Sequence, residues 1–154
     1  MEKVEILKKV PLFEDLDTTQ IMSIAKLIKT FKFKKGEKII EEDNYCDSLY
    51  IIKSGKVSVT KTDADLKQQE IAVLAAADHF GEMSLLDSQP RSANVTAVEE
   101  SEILEIRSSD FIQILNVDFE IAAKVYKSFA KKLSERLRSA DDALLVLSYD
   151  WNDK

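Results

Sequence analysis

The amino-acid sequence predicts a mainly β fold: an antiparallel β jelly roll, or double-stranded β-helix, with N-terminal helices and a long C-terminal helix. Three observations lead to this prediction. Between residues 30 and 106 the apolar residues form at least seven short runs, separated by polar turns. Before this region the apolar spacing is helical. After residue 118 helical spacing returns and continues without Gly or Pro to about residue 148.

Two helices are predicted before the β region, over residues 3–9 and about 18–29, with Pro11 between them. Asp17 and Thr18 form a typical start signal for the second helix. Its apolar residues recur at spacings of three and four: Ile21, Ile24, Ala25 and Ile28. These side chains need an apolar surface to cover, which the β region would supply.

From Thr30 the sequence changes to the alternation of β-strands. The apolar runs are Phe31–Phe33, Ile39–Ile40, Leu49–Ile52, Val57–Val59, Ile71–Leu74, Val95–Val98 and Ile103–Ile106. Ser54 and Gly55, between the third and fourth runs, predict a hairpin. Short antiparallel strands at this spacing are typical of a small barrel or jelly roll, which closes its edges and leaves an interior pocket.

Two helices are predicted after the strands. Ser108 or Ser109 would cap a short one. The apolar residues of the long helix are spaced by three and four, with an additional step of four in the middle: Phe119, Ala122, Tyr126, Phe129, Leu133, Leu137, Ala140, Leu144 and Leu147. This pattern indicates a coiled coil with a local stutter, and hence a parallel homodimer. The alternative is a helix that packs along its own barrel, but about 30 residues span about 45 Å, longer than a small barrel can cover.

Composition limits the classes of function. The chain has 154 residues, and its 22 basic and 28 acidic residues give a net charge of −6, which disfavours binding to a nucleic-acid polymer. No apolar run is long enough to span a membrane and no signal peptide is visible, so we expect a cytoplasmic protein without a membrane partner. Cys46 and His79 are the only residues of their types, so neither a disulfide nor a metal site is expected. No nucleophile has a nearby base, and we do not expect an enzyme.

A candidate binding segment, FGEMSLLDSQPRSANVTA, occupies residues 80–97. Gly81 lacks a side chain and lets the backbone approach a ligand. Glu82 would begin one helical turn whose free amides, together with the guanidinium of Arg91, form a socket for an anion. The combination suits a ligand that carries hydroxyl groups and an anion. The candidate contacts are Gly81, Glu82, Met83, Ser84 and Arg91.

Five sequence motifs follow one another in order: VPLF at 10–13, KGEKII at 35–40, DSLYIIKSGKVSV at 47–59, DHFGEMSLL at 78–86 and PRSANV at 90–95. Together they resemble the cyclic-nucleotide-binding domain family, typified by the bacterial catabolite activator protein and the regulatory subunit of protein kinase A. The resemblance covers nearly the whole chain. In that family, the segment around residues 80–97 is the phosphate-binding cassette.

The resemblance implies that the ligand is cyclic AMP or cyclic GMP and that no other cofactor is needed. It implies that Arg91 pairs with the cyclic phosphate, assisted by Ser92 and the amide near Ser84. Glu82 would accept a hydrogen bond from the ribose 2′-hydroxyl. The residues implied to contact the purine are Val59, Ile71 and Ala72 on the strands and Arg136 as a cap from the long helix. The family often associates Thr at the position of Ser92 with cyclic GMP, so Ser favours cyclic AMP.

Two positions depart from the family pattern: Asp43 and Ala77 stand where glycine is usual. Asp tolerates the left-handed backbone conformation of a turn, whereas Ala adopts it only at a cost. These departures leave open the alternative of a scaffold or interaction subunit that uses no nucleotide. The division predicted is a nucleotide-binding β-roll with its helices at 1–116, a dimerisation or output helix at 117–148 and a tail at 149–154. Six residues after Ser148 cannot form a helix-turn-helix DNA reader, so we expect the output to pass through the long helix, to a second copy or to a separate effector protein.

Overall fold

Helices lie on both sides of the β region along the chain. The computed structural model describes residues 2–41, 48–82 and 93–152. Its elements are α1 (Glu2–Lys8), a 3₁₀ helix (Pro11–Phe13), α2 (Thr18–Ala25), β1 (Lys29–Phe33), β2 (Lys38–Ile40), β3 (Ser48–Ser54), β4 (Lys56–Thr62), β5 (Gln68–Ala75), β6 (His79–Phe80), β7 (Asn94–Ala97), β8 (Ser101–Arg107), α3 (Ser108–Val117) and α4 (Phe119–Asn152).

The strands form two antiparallel sheets of four strands each within the described residues. One sheet has the order β1-β8-β3-β6 and the other the order β2-β7-β4-β5. Neighbours in each sheet are far apart in sequence, except β4 and β5, which form a hairpin. The two antiparallel sheets form a β sandwich, and with the N-terminal helices and the long C-terminal helix they confirm the predicted jelly-roll fold.

Helix α2 begins where the sequence predicts, at a complete capping box. The backbone N–H of Gln20 donates to Asp17 Oδ1 at 2.8 Å, and the backbone N–H of Asp17 donates to Gln20 Oε1 at 3.0 Å. The helix ends at Ala25, earlier than the predicted end near residue 29, because Lys29 already pairs with Glu105 of β8. Strand pairing therefore decides the end of this helix.

The hairpin predicted at Ser54 and Gly55 is wrong, because β3 and β4 belong to different sheets. Gly55 has a φ of +92°, and a Cβ built on it would lie 2.2 Å from Ser101 Oγ at the start of β8. The glycine thus allows a tight corner where the chain passes from one sheet to the other. The local sequence of such a corner is the same as that of a hairpin turn.

The predicted serine cap of α3 is also wrong. The N-cap residue is Arg107, which makes no capping bond with its side chain, and Ser108 is already the first helical residue. Arg107 is paired with Ser48 as the last residue of β8. Strand and helix therefore adjoin directly, and no residue between them is left to act as a polar cap.

The core consists of two apolar clusters that share strand β3. Leu49 and Ile51 point into the cluster beneath the helices, whereas Tyr50 and Ile52 point into the cluster between the sheets. Successive residues of a strand face opposite sides, so a strand covered on both faces is apolar throughout. This explains the uninterrupted run Leu49–Ile52 and ties the helices to the sandwich.

Helix α4 is buried only in its first part. The residues that it contributes to the cluster beneath the helices are Ile121, Ala122, Val125 and Phe129. Beyond them the apolar side chains are exposed: Leu133, Leu137, Leu144, Leu145, Val146 and Leu147. The helix ends at Asn152 and so extends beyond the predicted end at Ser148 into the predicted tail at 149–154, since no Gly or Pro interrupts it.

In the part of the chain that the structure describes, no helix combines the length and apolarity needed to cross a bilayer.

Candidate ligand site

The candidate site begins at β6, a two-residue strand held firmly against β3. His79 pairs with Ile51 and Phe80 pairs with Tyr50 in this ladder. The rings of Phe80 and Tyr50 stack with centroids 5.1 Å apart. Gly81 follows with a φ of +89°, a conformation that side chains disfavour. The position of the next residue, Glu82, is therefore set by the sandwich core.

The turn before β6 has the left-handed backbone conformation, which is costly for alanine. Ala77 has a φ of +73°. Its backbone N–H donates to the carbonyl of Ile52 at 2.8 Å, and the backbone N–H of Ala75 donates to Asp78 Oδ2 at 2.9 Å. These bonds offset a left-handed strain of about 1–2 kcal/mol. The turn is kept without the glycine that the family resemblance led us to expect at this position.

Glu82 is buried, with 7% of the residue exposed. Its Oε1 accepts a hydrogen bond from Arg136 Nη2 at 2.8 Å, and its Oε2 lies 3.5 Å from His79 Nδ1. Burial alone would raise the pKa of this carboxyl, but the proximity of His79, a backbone amide and the Arg136 guanidinium lower the pKa to about 2. The side chain is accordingly an ionised, enclosed hydrogen-bond acceptor at neutral pH.

His79 and Lys132 complete this cluster, and neither was predicted from the sequence to be a site residue. The His79 side chain is 2% exposed, and Lys132 Nζ lies 2.5 Å from its Nε2. His79 Nδ1 is buried without a well-aligned hydrogen bond. Burial is the main cause that lowers the pKa of Lys132, and the charge of Arg136 acts in the same direction. Two signals could have found these residues: His79 comes shortly before Gly81, and Lys132 lies one helical turn before Arg136.

The predicted purine contacts lie on two paired strands and on α4. Val59 of β4 is paired with Ala72 of β5, and both are half-buried. Ile71 sits at the irregularity in this pairing and is 60% exposed. Arg136 reaches the site, with its side chain half exposed, but its observed partner is Glu82. The remaining site predictions, at Met83, Ser84, Arg91 and Ser92, together with Asp43, fall outside the described residues.

A small cavity lies where α4 covers Glu82. Its volume is about 10 Å³, enough for about one water molecule. Leu12, His79, Glu82, Phe129, Lys132, Leu133 and Arg136 line it. Helix α4 thus lies close against the Glu82 carboxylate on the side that these residues line. Among the residues that the structure describes, no cluster of His, Cys, Asp and Glu is arranged to hold a metal ion.

Comparison with known sequences matches residues 30–118 to the family described as cyclic nucleotide-binding domain. The cyclic AMP receptor protein of Thermus thermophilus is 31% identical over 144 residues, which are 94% of this chain and 65% of that protein. The cGMP-dependent protein kinase of Eimeria tenella is 31% identical over 160 aligned residues, covering 98% of this chain and 15% of the kinase. The chain therefore spans less than two thirds of the length of these relatives.

Solved structures agree with the sequence comparison. The catabolite activator protein of Thermus thermophilus superimposes with a TM-score of 0.80 and 31% identity, over 90% of this chain and 63% of that one. The N-terminal domain of a transcriptional regulator from Streptomyces coelicolor gives 0.79 and 31%, over 90% of this chain and 96% of that one. The motifs, the double-sheet fold and the buried Glu82 directly after Gly81 point the same way: the chain belongs to the cyclic nucleotide-binding domain family.

Proposed function

We propose that this chain is a non-catalytic module that binds a cyclic nucleotide, with cyclic AMP preferred over cyclic GMP. The observation that carries the proposal is the buried, ionised carboxylate of Glu82, placed directly after Gly81 at the end of β6. An enclosed carboxylate of this kind favours ligands that offer it a hydroxyl group, because a bound ligand without one leaves a buried acceptor oxygen without the hydrogen bond that the hydroxyl would donate. In this proposal, the ribose 2′-hydroxyl is that group and Arg91 takes the cyclic phosphate.

The preference for cyclic AMP rests on Ser92. Relatives named for cyclic AMP and for cyclic GMP both match this chain, so the family alone does not choose between the two nucleotides. Ser92 stands where the family often associates Thr with cyclic GMP. A serine hydroxyl can still donate to a phosphate oxygen, and we therefore expect cyclic GMP to bind more weakly rather than not at all.

Calorimetric titration of the purified chain with cyclic AMP and cyclic GMP tests this function. We expect Arg91→Lys to lower the affinity for cyclic AMP by about tenfold to a hundredfold, because lysine cannot form the bidentate contact of arginine. Arg138→Lys, an exposed position on α4, is the matched control and should leave the affinity unchanged. Absence of heat and of any thermal shift with either nucleotide at millimolar concentration would favour the scaffold alternative.

We further propose that the output passes through the second half of α4, by homodimerisation or by docking on a separate effector. The support is the exposure of apolar side chains that continue the predicted coiled-coil stripe. Leu137 is 64% exposed, Leu144 62% and Leu147 64%. Such a row on one helix needs a partner surface to be buried. A second copy of the same helix supplies one of matching spacing.

Light scattering at several concentrations tests the dimer. We expect the wild-type chain to have a dimeric mass. Leu144→Glu should raise the dimer dissociation constant by tenfold or more, since each leucine buried in the seam contributes about 1.5–3 kcal/mol. Ser139→Glu adds the same charge at an exposed position of the same helix outside the stripe, and should leave the mass unchanged. A monomeric wild-type chain at every concentration would contradict the proposal.

A further inference from the structure

We infer that Arg136 and Lys132 form a latch that holds α4 over the site in the ligand-free chain, and that a nucleotide must displace Arg136 from Glu82 in order to bind. The latch consists of two contacts, Arg136 with Glu82 and Lys132 with His79. This inference rests on the proposed function and adds a regulatory contact to it. It assigns Arg136 to competition with the ligand, whereas the family resemblance implied that it caps the purine.

Arg136 and a hydroxyl group of the ligand would compete for the same oxygen, Glu82 Oε1. Arg136 Nη2 donates to Glu82 Oε1 at 2.8 Å, and the other oxygen, Oε2, faces His79 Nδ1 at 3.5 Å. The Glu82 side chain is 10% exposed, and the cavity beside it has a volume of about 10 Å³. A ribose ring does not fit into that volume. A hydroxyl group that uses Oε1 from this side takes the place of the guanidinium.

Helix α4 is attached to the sandwich at two points. Lys132 and Arg136 are one helical turn apart, so both reach the sandwich from the same face of α4. Lys132 Nζ donates to His79 Nε2, which must act as the acceptor because an ammonium group can only donate. The neutral ring then carries its proton on Nδ1, towards Glu82. A shift of α4 that removes Arg136 also withdraws Lys132.

The attachment of α4 to the sandwich is weak enough to be released. The Arg136 side chain is 53% exposed, and ion pairs that reach solvent contribute little net stability. The pKa of Lys132 is lowered mainly by burial, so this ammonium is held in the site at a cost. Beyond Arg136 the apolar side chains of α4 are exposed, as Leu137 and Leu144 show. Within one copy of the chain, the described residues offer little else that holds this half of the helix against the sandwich.

Calorimetry on Arg136→Ala tests the competition. If Arg136 caps the purine, its loss should lower the affinity for cyclic AMP, whereas if Arg136 forms the latch, its loss should raise that affinity. We expect cyclic AMP to bind about threefold to tenfold more tightly to Arg136→Ala than to the wild-type chain, as the ligand no longer has to break the contact. Arg138→Ala on the same helix is the control and should not change the affinity. Weaker or unchanged binding to Arg136→Ala would overturn the latch.

A deoxy ligand shows whether the hydroxyl group is the competitor. The gain in affinity from Arg136→Ala should be several-fold larger for cyclic AMP than for 2′-deoxy cyclic AMP, which has the same ring but no group to bring to Glu82 Oε1. An equal gain for both ligands would make Arg136 a steric lid and would overturn the competition for Oε1. Comparing the two ligands on the same two variants cancels any general effect of the substitution on the fold.

Nitrogen-15 spectra of the imidazole report on the latch without relying on affinity. His79 is the only histidine of the chain, so its signals need no assignment. At about pH 8.5, above the usual range of histidine, we expect the Nδ1–H form in the ligand-free wild type. Saturating cyclic AMP, or Lys132→Ala without ligand, should shift the Nε2 signal, because this nitrogen loses the hydrogen bond from Lys132. An Nε2 signal that stays unchanged when cyclic AMP binds would overturn the inference.

Failure of the latch and failure of the proposed function give different results. If the wild-type chain binds cyclic AMP and Arg136→Ala binds it no better, the latch is wrong and the binding function stands. If neither chain binds either nucleotide while both remain folded, the proposed function is wrong, and the displacement of Arg136 by a nucleotide fails with it. If only Arg136→Ala binds, both proposals are supported, because the wild-type latch then outcompetes the ligand.

Discussion

Replacing Gly55 by alanine is expected to lower the free energy of unfolding by about 3 kcal/mol or more, the sum of a steric and a conformational cost. A Cβ at this position would lie 2.2 Å from Ser101 Oγ, 2.6 Å from the carbonyl oxygen of Glu100 and 2.7 Å from Ser101 Cα. Two of these atoms belong to the backbone, which cannot rotate away. Ser101 is itself 1% exposed, and its hydroxyl donates to the carbonyl of Glu99 at 2.9 Å. Urea unfolding of the two proteins measures the loss.

Gly36→Ala is the matched control for this prediction. Gly36 has a φ of +91°, nearly the same as that of Gly55, but no atom lies within 4 Å of a Cβ built on it. It should therefore lose only the conformational part, about 1–2 kcal/mol. Similar losses at both positions would show that the contact with Ser101 does not hold the corner between β3 and β4 in place.

The corner at Gly55 also shows which part of the fold the sequence could predict. The apolar run Leu49–Ile52 and the capping signal at Asp17 are local, and the structure contains the strand and the helix that they predict. Whether Ser54 and Gly55 join two strands of one sheet or of different sheets depends on pairing with β8. That partner lies about fifty residues later in the chain. A local turn pattern cannot distinguish the two outcomes.

The candidate site likewise contains residues that the sequence could predict and contacts that it could not. Gly81 and Glu82 could be found because a glycine next to a carboxylate is visible in the sequence. Arg136 could be expected at the site from the long helix through the family resemblance, and the structure pairs it with Glu82. His79 and Lys132 each have a weak signal in the sequence, but their contact could not be found there, since it depends on how α4 is rotated and shifted against β6. A lone histidine without a partner in the sequence is a weak signal until the structure brings the lysine to it.

Phe111→Ala is expected to lower the free energy of unfolding by about 3–5 kcal/mol, as is typical for removal of a buried aromatic ring. Phe111 of α3 is 2% exposed, and its ring meets that of Phe13 edge to face at 6.1 Å. Both belong to the apolar cluster beneath the helices, which also receives Ile121 and Val125 of α4. The cavity left by alanine would therefore lie under the segment on which α4 rests.

Phe119→Ala is the control, because this ring is 78% exposed at the start of α4 and its removal should change stability by no more than about 0.5 kcal/mol. Urea unfolding compares the two variants, and equal losses would contradict the placement of Phe111 in the core. Phe111 makes no described contact with Glu82, so folded Phe111→Ala should bind cyclic AMP with the wild-type affinity if α4 keeps its position. Tighter binding by this variant would instead show that a loosened base releases α4, because weakening the support of the helix then has the same effect as removing Arg136 from Glu82.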